Sequence, residues 1–416
     1  MDNFDFLPPW ANKRDSDSLH SLCSYLGAFP ASLANYFIRY FSDEGDVVYD
    51  PFAGRGTTLL ESRLLNRNAI TSDLNPIALA LSKAKSHSVN VTNVLARITE
   101  LEQGYDEALF SPEIDSQPDD IHLIFHPRTI AQLCYLKFIF KNSPPTSIDD
   151  FLIGTILGIM HGGERKDGSS GYLSISMPNT FSMSPEYVRR FIQTKQLNRE
   201  FRDVFKLLRE KVTRILAKHK SPQNEGVVVD CNAREISSNI ILRQYRGKIN
   251  LLLTSPPYLG IVNYARQNWI RSWFLDADPE VISKKLDDGL NLFEWIKFSK
   301  ETLTGFKELM HPKGVAVFVI GDVAKSHNSV IPLAREFCAM VKETHIFKNI
   351  WVYSDYIQSS DKTTKIWGNT KGKATTIDRI VILSDINPFR NNKRLCEEAH
   401  LTYELIQTST KAFLGD

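Results

Sequence analysis

The stretch DVVYDPFAGRGTT (46–58) constrains the fold more than any other. An apolar run ends in Asp50, glycines follow at positions 54 and 56, and Thr57 and Thr58 open a helical pattern. Glycines tolerate positive φ and let the backbone come close to a ligand. The helix start offers unpaired N–H groups, and the two threonines are candidates to cap it or to bond a ligand. A strand that turns sharply into a helix is the building unit of an α/β sheet. The glycine spacing is not G-x-G-x-x-G, and no P-loop lysine follows. A dinucleotide or nucleoside triphosphate is therefore not the expected ligand.

Seven strands are expected, at 46–50, 69–73, 226–230, 250–254, 314–320, 347–353 and 378–384. They are short β-branched runs bounded by Gly, Pro, Asp or Asn, and several are apolar throughout, as in a parallel sheet covered on both faces. The helical stretches between them imply crossovers and a doubly wound α/β fold. Three of the first four strands end in Asp (Asp50, Asp73 and Asp230). A carboxylate at the carboxyl end of a parallel strand faces the crevice where such folds bind ligands, and an acid in the position of Asp73 typically holds a ribose hydroxyl pair. Residues 1–88 and 226–388 form the two halves of this sheet. Residues 89–225 read as a mainly helical insertion, from the runs QLCYLKFIF and DDFLIGTILGIM and a helical pattern over 185–220. Residues 389–416 read as a tail.

A second motif follows the fourth strand. NLLLTSPPY (250–258) runs from a buried strand into Ser255-Pro256-Pro257-Tyr258. Two prolines fix φ, and the residue before each is pushed to extended geometry. The product is a rigid stub presenting a hydroxyl, carbonyls and an aromatic ring. The Ser255 side chain and the Pro256 carbonyl are suited to accept from an NH₂ group, and Tyr258 to stack on a planar base.

Together DPFAGRGTT and TSPPY resemble the cofactor and catalytic motifs of site-specific DNA amino-methyltransferases of the N4-cytosine/N6-adenine type. The resemblance covers roughly residues 20–85 and 226–385. It implies a Rossmann-like class I methyltransferase fold: a mostly parallel seven-stranded sheet with an antiparallel last strand. It implies S-adenosylmethionine as cofactor, held by Asp50, Pro51, Phe52, Ala53, Gly54, Gly56, Thr57 and Thr58 on the methionine side. Phe29 and Pro30, in LGAFPASLANYFI, match the helix that closes over that end. Asp73 and Asn75, in TSDLNP, and Asp230, in DCNAR, match the ribose and adenine sides, with Thr254 at the end of the fourth strand. Catalysis then belongs to Ser255, Pro256, Pro257 and Tyr258, by direct methyl transfer to an extruded base. Ser in the first position is usual for N4-cytosine enzymes, and Asp or Asn for N6-adenine enzymes. There is no Pro-Cys pair of the kind a C5-cytosine enzyme requires. A related motif pairing in tRNA guanine-N2 enzymes keeps an RNA substrate as the alternative, and a catalytically inert specificity subunit is a third reading.

The motif order leaves about 140 residues between the second and third strands, so the insertion is the first candidate for reading DNA. Its segment 185–220 holds eleven Lys/Arg against four Asp/Glu, although the whole chain carries only +2. Such a surplus neutralises phosphates, or simply lies on a solvated face. Arg189, Arg190 and Lys195, and beyond the catalytic motif Arg266 and Arg271, are the candidate DNA contacts; the Lys-containing loop 354–374 is another. Double-stranded DNA is the expected partner, with a cognate restriction endonuclease implied by the family. Five scattered cysteines have no metal-ligand or redox spacing, so no metal is expected. With no basic, apolar leader and no run long enough to span a bilayer, the expected location is the cytoplasm, and the family implies a bacterial or phage-encoded protein.

Overall fold

A computed structural model describes residues 16–25, 27, 29–165, 167–177, 184–259, 266–287, 289–326, 329–356, 377–389 and 398–415. Its centre is a seven-stranded sheet. The strands are β1 (Val47–Asp50), β2 (Asn68–Asp73), β3 (Gly226–Asp230), β4 (Ile249–Thr254), β5 (Met310–Gly321), β8 (Asn349–Tyr356) and β9 (Ile377–Ser384). A two-stranded hairpin, β6 (Val323–Ser326) and β7 (Ser329–Ile331), stands apart from the sheet. The order is β3-β2-β1-β4-β5-β9-β8. Within this sheet all ladders are parallel except those of β9, the last strand among the described residues, which pairs antiparallel with both β5 and β8. This is the doubly wound Rossmann-like architecture expected from the motifs. The order reverses between β1 and β4, and in such sheets the crevice outside the strand ends at that point is the natural ligand site.

The seven strands lie where the apolar runs place them. The fifth differs at its start, which was expected at residue 314. Instead β5 begins at Met310 and carries Pro312 and Gly314 inside it, with an irregular register against Ile249 and Leu251. Pro312 is exposed, as a residue without an N–H must be to sit in a strand. The small hairpin β6–β7 was not expected.

Alternate residues of the central strands face opposite layers. Val48, Leu251, Leu253, Val317 and Ile382 pack with helix α1 (Ala31–Phe41). Tyr49, Leu252, Ala316 and Phe318 pack on the other face, beneath α13 (Leu292–Leu309) and α14 (Leu333–Thr344). Helix α2 (Thr57–Leu64) follows β1, and α3 (Pro76–Lys83) follows β2.

The insertion folds as α4 (Val91–Gln103), α5 (Glu107–Phe110), α6 (Asp119–Ile124), α7 (Pro127–Asn142), α8 (Ser147–Ile159), α9 (Pro185–Lys195) and α10 (Val204–Leu216). Its buried residues share one core with Leu19, Leu22, Leu60, Ile77 and Leu81 of the N-terminal segment. Close approach makes this possible: a Cβ at Gly158 has no room against the Leu22 backbone. The expected helical run 185–220 is in fact two helices. Helix α9 ends at Gln196, whose φ is +51°, and α10 starts behind the Asp203 cap, whose carboxylate accepts from the Lys206 N–H at 2.7 Å.

Candidate active site

The carboxyl ends of β1, β2 and β4 meet at a cavity. Its walls include Asp50, Pro51, Phe52, Ala53, Gly54 and Thr57 from the first turn, and Asp73 and Asn75 after β2. Ser255, Pro256, Pro257 and Tyr258 come from the stub after β4, and Phe29 from upstream of α1.

The first turn is built around two desolvated carboxylates, Asp50 buried and Asp73 half-buried. Asp50 Oδ1 accepts from the Phe52 N–H at 3.1 Å and from the Thr254 hydroxyl at 2.6 Å, which ties β1 to β4. Asp73 accepts from the Gly54 N–H at 3.0 Å and from the Asn75 N–H at 2.8 Å. The turn itself requires glycine: Gly54 and Gly56 have φ of +52° and +74°. A Cβ on Gly56 would also lie 3.1 Å from Ser82 Oγ. Behind the turn, buried Lys85 donates to the Arg55 carbonyl, and its amine is pushed down to about 7 by burial and then by the Arg55 charge. Burial pushes Asp50 up to about 6, against hydrogen bonds from Thr254 and Phe52 that pull it down. Burial likewise raises Asp73 to about 6, opposed by the Asn75 and Gly54 N–H groups and assisted by the Asp50 charge. Two desolvated carboxylates beside an open cavity favour a cationic ligand group.

The second element carries no charge. Ser255 Oγ lies 3.0 Å from Tyr258 Oη, and Tyr258 Oη donates to the Val319 carbonyl of β5 at 3.0 Å. The buried Trp295 indole donates to the Pro257 carbonyl at 2.7 Å. Prolines fix the stub locally, and these hydrogen bonds fix it to the sheet and to α13.

Five expected cofactor contacts are displaced from the cavity wall. Thr58 and Thr254 stand behind it: the Thr58 hydroxyl donates to the Leu253 carbonyl at 3.2 Å, and Thr254 serves Asp50. Gly56 shapes the turn from behind, Pro30 is exposed at the start of α1, and Asp230 is exposed at the end of β3. From the DCNAR loop it is Cys231 and Ala233 that line the cavity. Tyr25, Gly27, Arg55 and Leu74 also line it, each beside a motif residue and so detectable by extension. Leu286 and Asp287 line it as well and had no local signal. They follow α12 (Pro279–Lys285), and Arg234 holds Asp287 bidentately at 2.7 and 2.9 Å.

The candidate DNA residues separate. Arg190 and Lys195 are exposed on α9, whereas Arg189 pairs with Asp120 at 2.5 Å. Arg271, on α11 (Trp269–Phe274), is corrected: it is only 3% exposed and donates to the Leu157 carbonyl at 3.1 Å and to Asn268 Oδ1 at 2.6 Å. It holds α11 to the insertion and presents no phosphate contact. Arg266 lines a separate cleft with Trp269, Trp273 and Lys137. Within 185–220, Arg199, Arg202, Arg209 and Lys211 are also engaged by protein groups, so the surplus of positive charge facing solvent is smaller than the sequence count. Most of the loop 354–374 lies outside the described residues. Among the described residues no three His, Cys, Asp or Glu are placed to hold a metal, and no helix is long and apolar enough to cross a membrane.

Comparison with known proteins adds an independent finding. Residues 4–84 match the family model described as DNA methylase, of the N6/N4 type. Two curated relatives match in part. The type II methyltransferase M.MjaII of Methanocaldococcus jannaschii is 30% identical over 88 residues, 21% of this chain and 16% of the relative. The type II methyltransferase M.BsoBI of Geobacillus stearothermophilus is 33% identical over 98 residues, 23% of this chain and 18% of the relative. The matches therefore span less than a fifth of either relative. Among solved structures, the rRNA methyltransferase AviRa from Streptomyces viridochromogenes aligns with TM-score 0.33 and 12% identity over 90% of this chain and 95% of that one. TrmN from Thermus thermophilus aligns with TM-score 0.33 and 10% identity, over 88% of this chain and 52% of that one.

Proposed function

We propose that this chain is an S-adenosylmethionine-dependent methyltransferase that acts on an exocyclic amino group of a base in double-stranded DNA, with N4 of cytosine as the target. One observation carries the reading. The Asp50 turn and the Ser255 stub, whose anchoring residues Asp50 and Thr254 are 204 positions apart, are hydrogen-bonded to each other and open onto the same cavity at the switch point of the sheet. The DNA methylase match over residues 4–84 covers the first of these elements.

The residues fit the cofactor. The Asp50 and Asp73 carboxylates, both held up at about 6, gain from a cationic ligand and would repel a phosphate. S-adenosylmethionine, when bound, supplies an electrophilic methyl group on a sulfonium. Asp50 and the Phe52–Gly54 backbone would hold its methionine end. Asp73 would hold the ribose, and Cys231 and Ala233 would flank the adenine. A base amine conjugated to its ring is a poor nucleophile. Ser255 Oγ and the Pro256 carbonyl would accept from its two hydrogens and turn its lone pair out of the ring, while the Tyr258 ring stacks on the extruded base. Positioning supplies much of the remaining rate. Ser255 is a short, neutral acceptor suited to the smaller pyrimidine, which favours cytosine N4 over adenine N6. A restriction–modification role with a cognate endonuclease completes the proposal.

The test is nucleoside mass spectrometry of mixed-sequence duplex DNA, and of tRNA, after incubation with the purified protein and S-adenosylmethionine. N4-methylcytosine in the DNA is expected. N6-methyladenine alone overturns the choice of target, and methylation of tRNA alone overturns the DNA reading.

A further inference from the structure

We propose that the Tyr258 hydroxyl is a positioning group that makes Ser255 a pure hydrogen-bond acceptor towards the reacting amine. This rests on the methyltransferase reading above and adds to it a second task for Tyr258, beyond stacking.

The argument is a count of protons. A phenol has one hydrogen to donate, a serine hydroxyl has one hydrogen and two lone pairs, and a backbone carbonyl has none to give. Tyr258 Oη lies 3.0 Å from the Val319 carbonyl, which only accepts. The phenolic hydrogen is therefore committed to Val319. Ser255 Oγ lies 3.0 Å from the same Oη. With the phenolic hydrogen spent, this second bond forms only if Ser255 donates. The serine hydrogen then points at Tyr258, and its lone pairs are left for the cavity that Ser255 lines.

The orientation matters because a free serine hydroxyl is ambivalent. Turned the other way, it would donate to the amine nitrogen and occupy the lone pair that has to attack the methyl group. An aspartate in this position accepts without help. A serine needs a partner that takes its hydrogen, and the chain from Ser255 through Tyr258 to Val319 is that partner. The end of the relay is rigid. The last residue of β4 paired with β5 is Thr254, opposite Phe318, so Val319 is the next residue of a strand held on its other side by β9. Trp295 holds the Pro257 carbonyl at 2.7 Å, so the stub between the two anchors has little freedom to let Ser255 rotate its partner away.

The decisive experiment is a double-mutant cycle of Tyr258→Phe and Ser255→Ala, read as single-turnover methylation of duplex DNA at saturating cofactor. Cofactor affinity by calorimetry and melting temperature are measured on every variant to certify folding. Y258F keeps the ring for stacking and loses only the hydroxyl. It should slow methyl transfer roughly tenfold, the size of one hydrogen bond, at unchanged cofactor affinity. In the S255A background, Y258F should have no further effect, because the hydroxyl acts only through Ser255. A wild-type rate in Y258F, or losses that multiply in the double variant, overturns the relay and leaves the methyltransferase reading standing. Wild-type protein that methylates no base in DNA overturns that reading instead, and the relay with it.

Discussion

The two elements that meet in the cavity are held by opposite means. The turn after β1 is organised by carboxylates, with Asp50 buried, Asp73 half-buried and each accepting from the backbone or a hydroxyl. The stub after β4 is organised without charge, by Ser255, Tyr258 and Trp295 acting on one another and on carbonyls. Charge suits the side that would receive a cationic cofactor, and it makes that side titrate near neutrality. A neutral stub suits an uncharged base amine, whose reactivity depends on the direction of hydrogen bonds and not on attraction. The contrast implies that the two halves of the site fail in different ways.

The largest effect is expected at Asp50. In Asp50→Ala the Phe52 N–H and the Thr254 hydroxyl lose their shared acceptor and the cavity loses a charge. S-adenosylmethionine affinity should fall by about 100-fold or more, the scale for truncating one member of a buried charged pair. Wild-type-like affinity by calorimetry in a folded variant would break the contrast outright. Ser255→Ala should do the reverse. Single-turnover methylation should drop by roughly 10- to 100-fold while cofactor affinity stays within about twofold, because the interaction is made with the reacting amine.

The pH dependence sharpens the same point. Asp50 and Asp73 titrate at about 6 in the cofactor-free protein. A bound cation lowers both values, so binding favours the ionised forms, and affinity should be full above pH 7 and weaken roughly tenfold by pH 5. Stability would not report this cleanly. Raised carboxylates oppose folding above about pH 6 and are relieved below it. The buried His20 and His161 imidazoles, held low by burial, cost stability as pH falls below the ordinary histidine value. Calorimetric titration at pH 5, 6, 7 and 8 reads the affinity directly. A flat profile would remove the carboxylates from the cofactor side.

The smallest effect concerns surface charge on the insertion. Replacing exposed Arg190 and Lys195 with Gln should weaken duplex binding a few-fold at physiological salt. The salt slope should fall by about 0.9 for each phosphate these side chains no longer neutralise. Arg271→Gln should leave the slope alone and lower the melting temperature, since that guanidinium is buried against Leu157 and Asn268. A reduced slope in Arg271→Gln would reverse this assignment.

Much of the architecture is legible in the sequence alone. Apolar runs such as Leu251–Leu253 are set by burial on two faces, and the positive φ of Gly54 and Gly56 leaves its mark in residue type. Ser255-Pro256-Pro257 is stiff by covalent geometry alone. The errors fall where a side chain's task is set by distant neighbours. Asp230 ends a strand as Asp50 and Asp73 do, yet it is exposed at an edge strand, and Cys231 and Ala233 line the cavity in its place. Arg271 and Arg190 are the same residue type on helices, and only packing sends one inside.

Sequence by itself thus determined the local pieces: seven strands, a glycine turn, a proline stub and the family likeness they carry. Each is dictated by dihedral limits or by hydrophobic periodicity within a few residues of chain. Tertiary structure decided the rest. It brought Leu286 and Asp287 to the cavity, placed Trp295 beneath Pro257, ran one core through the insertion and the N-terminal segment, and aimed the Tyr258 hydroxyl at Val319. These depend on hydrogen-bond partners and packing surfaces tens to hundreds of residues away, and no local rule of spacing or propensity specifies which distant groups will meet.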